Sequence, residues 1–178
     1  MARQVIIMPQ MINLSYSAGD YFVVSGKTLY SRITRLSQDL EREAFSKSSH
    51  LNLTENFYTL AISDAKVRKK DDQNPTPAES YAEMKISKNG GQKKSFQEFI
   101  FDDSKPAVYM KNSVTKSYKR VELGDEIRND VPVTIVYKFV MGDKGIKLVF
   151  DRIFIEEDLN DPIADHLARL GITIDPEA

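Results

Sequence analysis

The chain has 178 residues, no cysteine and almost balanced charge, with 25 basic and 26 acidic residues and a net charge of −1 at pH 7. A chain of this length buries enough apolar surface to fold without a disulfide, and the lack of cysteine excludes thiolate chemistry. No apolar run approaches the ~20 residues that span a bilayer, and none forms the core of a signal peptide. We therefore expect one soluble, cytoplasmic domain over residues 1–178, with no cofactor, metal or membrane contact.

The N-terminal third is predicted to contain two strands and one long helix. Apolar runs at residues 3–8 and 21–24 end at proline or glycine-rich turn sequences, a pattern typical of strands. Four apolar residues then recur at spacings of three and four, which predicts an amphipathic helix over residues 28–47 with this stripe buried. The stripe consists of Leu29, Ile33, Leu36 and Leu40.

The remainder of the chain is predicted to be mostly strand. A polar, proline-containing stretch at residues 68–79 indicates a mobile surface loop. The turn sequence Asn89-Gly90-Gly91 predicts a β-hairpin between residues 81–86 and 96–101. Further strands are predicted at residues 57–62, 108–110, 118–123, 133–140 and 146–155.

A short C-terminal helix is predicted to start at Pro162, which Asp161 precedes as a cap, and to end at Gly171. Its buried stripe would consist of Ile163, Leu167 and Leu170. Together these elements predict an α+β fold. We expect a bent antiparallel sheet or a small OB-like barrel, with one long N-terminal helix and one short C-terminal helix.

The sequence contains no convincing catalytic arrangement. The two histidines, His50 and His166, lie far apart and have no nucleophile at a suitable spacing. The acidic run at residues 156–158 is more typical of a solvated helix start than of a magnesium site. We therefore expect a protein that is not an enzyme.

The charge is distributed unevenly. Residues 85–120 contain nine basic and three acidic residues, a net charge of +6, whereas residues 151–178 have a net charge of −6. In the basic segment lysines alternate with aromatic residues, and this combination neutralises phosphate and stacks on unpaired bases. The candidate nucleic-acid-binding residues are Lys85, Lys88, Lys93, Lys94, Tyr109, Lys111, Lys116, Tyr118, Lys119 and Arg120.

A structural explanation of the same residues stays open. The aromatic residues Phe96, Phe99, Phe101 and Tyr137 would fill the core, and the lysines would only keep edge strands soluble. The two explanations differ in whether four tyrosines lie exposed on one face beside the lysines. These are Tyr81, Tyr109, Tyr118 and Tyr137.

The segment from Leu123-Gly124-Asp125-Glu126-Ile127 through residues 131–137 to 145–155 resembles the terminal hairpin of small accessory proteins from phages, plasmids and conjugative elements of Gram-positive bacteria. Such proteins include single-stranded DNA binding proteins and anti-CRISPR inhibitors of the host nuclease. The resemblance covers about a third of the chain and transfers no site residue. It implies one of two partners: single-stranded nucleic acid, or a Cas nuclease with its guide RNA.

Overall fold

The computed structural model describes residues 3–7, 10–14, 18–88, 94–102, 104–159 and 162–172. These residues form nine strands and three helices, in the order β1 (Arg3–Ile7), β2 (Gln10–Leu14), β3 (Tyr21–Arg32), α1 (Asp39–Ser49), β4 (Tyr58–Val67), α2 (Pro77–Lys88), β5 (Phe96–Ile100), β6 (Val108–Lys111), β7 (Tyr118–Val121), β8 (Pro132–Gly142), β9 (Gly145–Ile155) and α3 (Pro162–Arg169).

Seven strands form one mixed sheet in the order β5-β4-β3-β8-β9-β6-β7. Every pairing is antiparallel except that of β6 with β9, which is parallel. The hairpin β1–β2 forms a separate two-stranded sheet, and β1 approaches β9. None of the helices in the described part of the chain is long and apolar enough to cross a membrane.

One face of the sheet carries the main hydrophobic core. Alternation along β8 buries every second side chain from Val133 to Phe139, and β9 does the same on each side of an irregularity at Asp151 and Arg152, as expected when only one face of a strand is packed. Phe22 of β3 stacks on Tyr137 of β8 at a centroid distance of 5.2 Å, and Phe96, Phe139 and Tyr81 surround this pair. The core therefore joins strands from both ends of the chain.

The prediction of a long N-terminal helix is wrong, and with it the predicted fold, although α+β describes the class correctly. Residues 28–32 continue β3, because this strand pairs with β4 as far as Arg32. Within the predicted range of residues 28–47, the helix begins only at Asp39, the first residue of α1. Of the predicted buried stripe, Ile33 is buried but Leu40 is 82% exposed. The apolar residues have a helical spacing, but pairing with β4 stabilises residues 28–32 as a strand. Packing against neighbouring strands commonly outweighs such a local preference.

The predicted strand at residues 81–86 is wrong, because these residues lie within α2, and the turn at residues 89–91 lies outside the described residues. Thr76 and Glu79 form a reciprocal capping box, with N···O distances of 2.9 and 3.2 Å, and Pro77 is the first helical residue. Residues 77–79 of the predicted loop therefore belong to this helix.

The C-terminal helix starts at Pro162 as predicted, and Gly171 follows it with a positive φ of 83°. Its predicted burial is wrong, because Ile163 is 72% and Leu170 is 64% exposed. An ion pair of 2.6 Å between Arg169 and Glu157 connects this helix to the end of β9.

Gly26 lies at an irregularity where β3 changes register against β4. A Cβ atom on Gly26 would lie 2.5 Å from the Ser63 carbonyl oxygen, so the two strands would have to separate. We expect Gly26→Ala to lower the free energy of unfolding by about 1–3 kcal/mol, as overpacking does. Chemical denaturation measures the change. Gly124→Ala is the matched control, since its Cβ has no neighbour within 4 Å, and equal effects of the two substitutions would contradict this close approach.

Candidate nucleic-acid interface

The side chains that alternate with the core residues of β3, β8, β9, β6 and β7 form a second face, here called the outer face. Strand register places them side by side, because directly paired residues share a face. Tyr21 pairs with Lys138, Phe154 with Tyr109, and Lys111 with Tyr118. The outer face is defined by Tyr21, Val23, Tyr109, Lys111, Tyr118, Arg120, Val136, Lys138, Arg152 and Phe154.

Three aromatic rings form a cluster at the β7 end of the outer face. Tyr109 stacks on Phe154 with centroids 5.4 Å apart, and Tyr118 contacts Phe154 edge-on at 5.1 Å. Tyr118 is 41% exposed, and the Nζ atom of Lys111 lies 6.0 Å from the centroid of its ring. The cluster thus presents an accessible aromatic surface next to a cation, which is the arrangement that binds an unpaired base and its phosphate.

Positive charge exceeds negative charge on this face. Lys111 and Arg120 flank the aromatic cluster, and Lys138 and Arg152 lie between this cluster and Tyr21. Two carboxylates oppose them. Asp151 accepts a 2.6 Å bond from Arg152, and Glu156 lies 3.9 Å from the Lys111 ammonium group. Both pairs are partly exposed, so each stabilises the fold little and a phosphate can compete for the cation.

Glu156 also accepts a hydrogen bond from the Tyr118 hydroxyl. Partial burial of the phenol, followed by this hydrogen bond and the negative charge of Glu156, raises the pKa of Tyr118 to about 12. The phenol is therefore neutral throughout the physiological range, and the hydrogen bond orients its ring against Phe154.

The structure brings four of the predicted site residues together on the outer face: Tyr109, Lys111, Tyr118 and Arg120. Lys116 lies in the turn between β6 and β7 with a positive φ of 62°. Lys119 pairs with the buried Met110, so its side chain starts from the core side of β7, where it is exposed at the sheet edge. These two lysines are adjacent to the outer face without belonging to it.

Of the other predicted residues, Lys85 and Lys94 lie near β5, at the opposite edge of the sheet. Lys85 belongs to α2 and forms a 3.1 Å ion pair with Glu98, which is 2% exposed. Lys94 is exposed just before β5, and its carbonyl accepts a hydrogen bond from the amide of Ala65. Lys88 ends α2, and Lys93 lies outside the described residues. The basic segment is thus divided between two regions of the molecule.

Two of the four diagnostic tyrosines are buried. The Tyr81 ring contacts Phe22 and Phe139, and its hydroxyl donates a 2.8 Å hydrogen bond to Glu98. Tyr137 is fully buried, and burial followed by the charge of Glu98 raises the pKa of its phenol well above 10. The core-filling explanation therefore holds for these two residues, whereas Tyr109 and Tyr118 retain the geometry that stacking needs.

The predicted site omitted the other six members of the outer face: Tyr21, Val23, Val136, Lys138, Arg152 and Phe154. Arg152 and Phe154 belong to a segment that was assigned to the acidic end of the chain. The usable signal was the alternation along β9, because it places these two residues opposite the buried Ile153 and Ile155.

The possible catalytic groups are dispersed. His50 and His166 are both exposed, the first at the end of α1 and the second in α3. Within the described ranges, no group of three histidine or acidic side chains is arranged to hold a metal ion.

No protein family matches the chain, and neither a curated protein nor a solved structure matches it.

The raised pKa of Tyr118 can be tested directly. Because the folded pKa of about 12 exceeds the unfolded value of about 10, the contribution to stability is complete below pH 10 and is lost as the pH rises to 12. We expect the phenolate absorbance difference between wild type and Tyr118→Phe to titrate near pH 12. Glu156→Gln should lower this pKa only part of the way, because burial remains. A difference titration centred at the ordinary pKa would show that Tyr118 is free in solution.

Proposed function

We propose that this chain is a non-catalytic accessory protein of a phage or mobile element that binds single-stranded nucleic acid through the outer face in the cytoplasm. The observation that carries the proposal is the cluster of Tyr109, Tyr118 and Phe154 beside Lys111 and Arg120. Aromatic rings on a sheet stack on bases of any sequence, and adjacent cations hold the backbone.

The arrangement favours a single strand over a duplex. In a duplex the base faces are stacked on each other, so exposed rings on a sheet find no base to contact. The overall charge of −1 gives no general attraction to a polyanion. Binding therefore depends on the local excess of cations on the outer face, and we expect it to weaken as salt screens them.

The first test separates the two regions that the basic segment occupies. Replacing Lys111 and Arg120 by alanine should reduce the salt slope of log Kd by about 1.4, since each phosphate contact to a single strand contributes roughly 0.7. Fluorescence anisotropy with a labelled oligothymidylate at several salt concentrations measures the slope. Lys94→Ala is the control from the β5 edge and should leave the slope unchanged. The opposite result would move the interface to the β5 edge.

The second test concerns stacking. Tyr118→Ala should weaken binding by ~1–3 kcal/mol at every salt concentration, because stacking is not an ionic interaction. Tyr118→Phe keeps the ring and should bind nearly as well as wild type. If the alanine and phenylalanine variants lose affinity equally, the hydroxyl and not the aromatic face contributes to binding.

A second candidate function is a protein inhibitor of the anti-CRISPR type that binds a Cas nuclease or its guide RNA complex. The exposed apolar side chains of Ile163, in α3, and Leu170, directly after it, favour this function, because exposed apolar surface marks sites of protein contact. The same binding experiment decides between the two functions. Undetectable binding of any oligonucleotide at low salt would favour the inhibitor.

A further inference from the structure

A second aromatic position lies on the outer face, away from the cluster around Phe154. Tyr21, the first residue of β3, is 40% exposed, and the Nζ atom of Lys70 lies 4.7 Å from the centroid of its ring. The pKa of Lys70 is raised, mainly by a hydrogen bond with Tyr21. This lysine therefore stays charged. Tyr21 and Lys70 thus repeat, on another strand, the pairing of ring and cation formed by Tyr118 and Lys111.

Strand register gives the separation of the two aromatic positions. Tyr21 pairs with Lys138, which lies four residues along β8 from Thr134, and Thr134 pairs with Phe154 on β9. Two strand spacings across the sheet and four residues along it correspond to about 17 Å. A helically stacked single strand advances roughly 3.4 Å per nucleotide, so this distance corresponds to about five stacked nucleotides, and to fewer in an extended strand.

A groove of about 500 Å³ connects the two positions. Val23 and Val136 contribute apolar surface to it, and Lys138 and Arg152 contribute cations. The apolar surface can contact the bases of a nucleic acid, and the cations beside it can bind the phosphates of its backbone. Asp151 also lines the groove and holds the Arg152 guanidinium at 2.6 Å, so a phosphate that binds Arg152 has to replace this carboxylate.

On the basis of the proposed function, we propose that the groove between Tyr21 and Phe154 is a binding site for a continuous single strand of several nucleotides. One base stacks on Tyr21 and another on the cluster of Tyr118 and Phe154. The phosphates between them bind Lys138 and Arg152 in competition with Asp151. The strand runs diagonally from β3 across β8 and β9 toward β7.

This site makes affinity depend on length in a way that one aromatic cluster does not. A dinucleotide reaches only one of the two positions, whereas a strand of six or more nucleotides reaches both. Loss of Tyr21 should therefore weaken the binding of longer oligonucleotides much more than that of a dinucleotide, which can still bind at the cluster of Tyr118 and Phe154. Loss of the Asp151 charge should raise the affinity only of oligonucleotides that place a phosphate at Arg152.

The experiment measures Kd by fluorescence anisotropy for labelled oligothymidylates of about two to about ten nucleotides at one low salt concentration. For wild type we expect a steep gain in affinity once both positions are reached. Tyr21→Ala should lower the affinity for the longer oligomers by about 5- to 150-fold, which corresponds to one stacked base. The affinity for the dinucleotide should stay almost unchanged, because the cluster of Tyr118 and Phe154 remains. Tyr21→Phe should behave like wild type, and circular dichroism checks that each variant is folded.

Asp151→Asn provides the independent measurement. It should raise the affinity for the longer oligomers by about 1.4- to 5-fold, the range expected when a partly exposed ion pair no longer competes. If oligomers bind but Tyr21→Ala lowers no affinity, or lowers all of them equally, the extended site is refuted while the outer face remains a nucleic-acid interface. If no oligomer binds to wild type, both the proposed function and the extended site are refuted.

Discussion

The central constraint in this structure is the double pairing of β8, which lies between β3 and β9 and bonds to both. Because side chains alternate along a strand, this pairing fixes the face of every neighbouring residue at once. The stacked pair of Phe22 and Tyr137 holds β3 to β8 on the core side. Once these residues lie in the core, Tyr21 and Lys138 have to lie on the outer face. A shift of the strand pairing by one residue would exchange the core side chains with those of the outer face.

A buried carboxylate helps to determine how α2 packs on the sheet. Glu98 of β5 is almost inaccessible to solvent, and Tyr81 and Lys85 of α2 both bind its Oε1 atom. An unpaired charge in such a place is costly, so these contacts determine how α2 packs on the sheet. Replacing Lys85 would remove one of the two groups that bind this carboxylate in the described part of the chain. Lys85 thus stabilises the packing of α2, whatever the role of the other lysines in the basic segment.

The cations of the outer face have carboxylates of the same chain close to them. Arg152 and Lys111 each have a carboxylate of the same chain nearby, and neither pair is buried enough to be strong. In the proposed binding, a phosphate has to replace these carboxylates to reach the cations. Such binding would be weaker than the number of cations suggests, and removal of either acid would strengthen it modestly.

Local sequence patterns predicted the strands in which buried and outward-facing residues alternate, above all β8 and most of β9, because a period of two is a property of the strand itself. They also placed Tyr109, Lys111, Tyr118 and Arg120 in one candidate site. The helix α2 was predictable from Thr76-Pro77-Ala78-Glu79, a capping box with proline at the first helical position, but the turn sequence after it favoured a hairpin. The tertiary structure alone decided that residues 28–32 are strand, since β4, which is distant in the chain, supplies their strand partners. It also decided that Tyr137 is core while Arg152 and Phe154 join Tyr109, because strand order brings together residues that are distant in the chain.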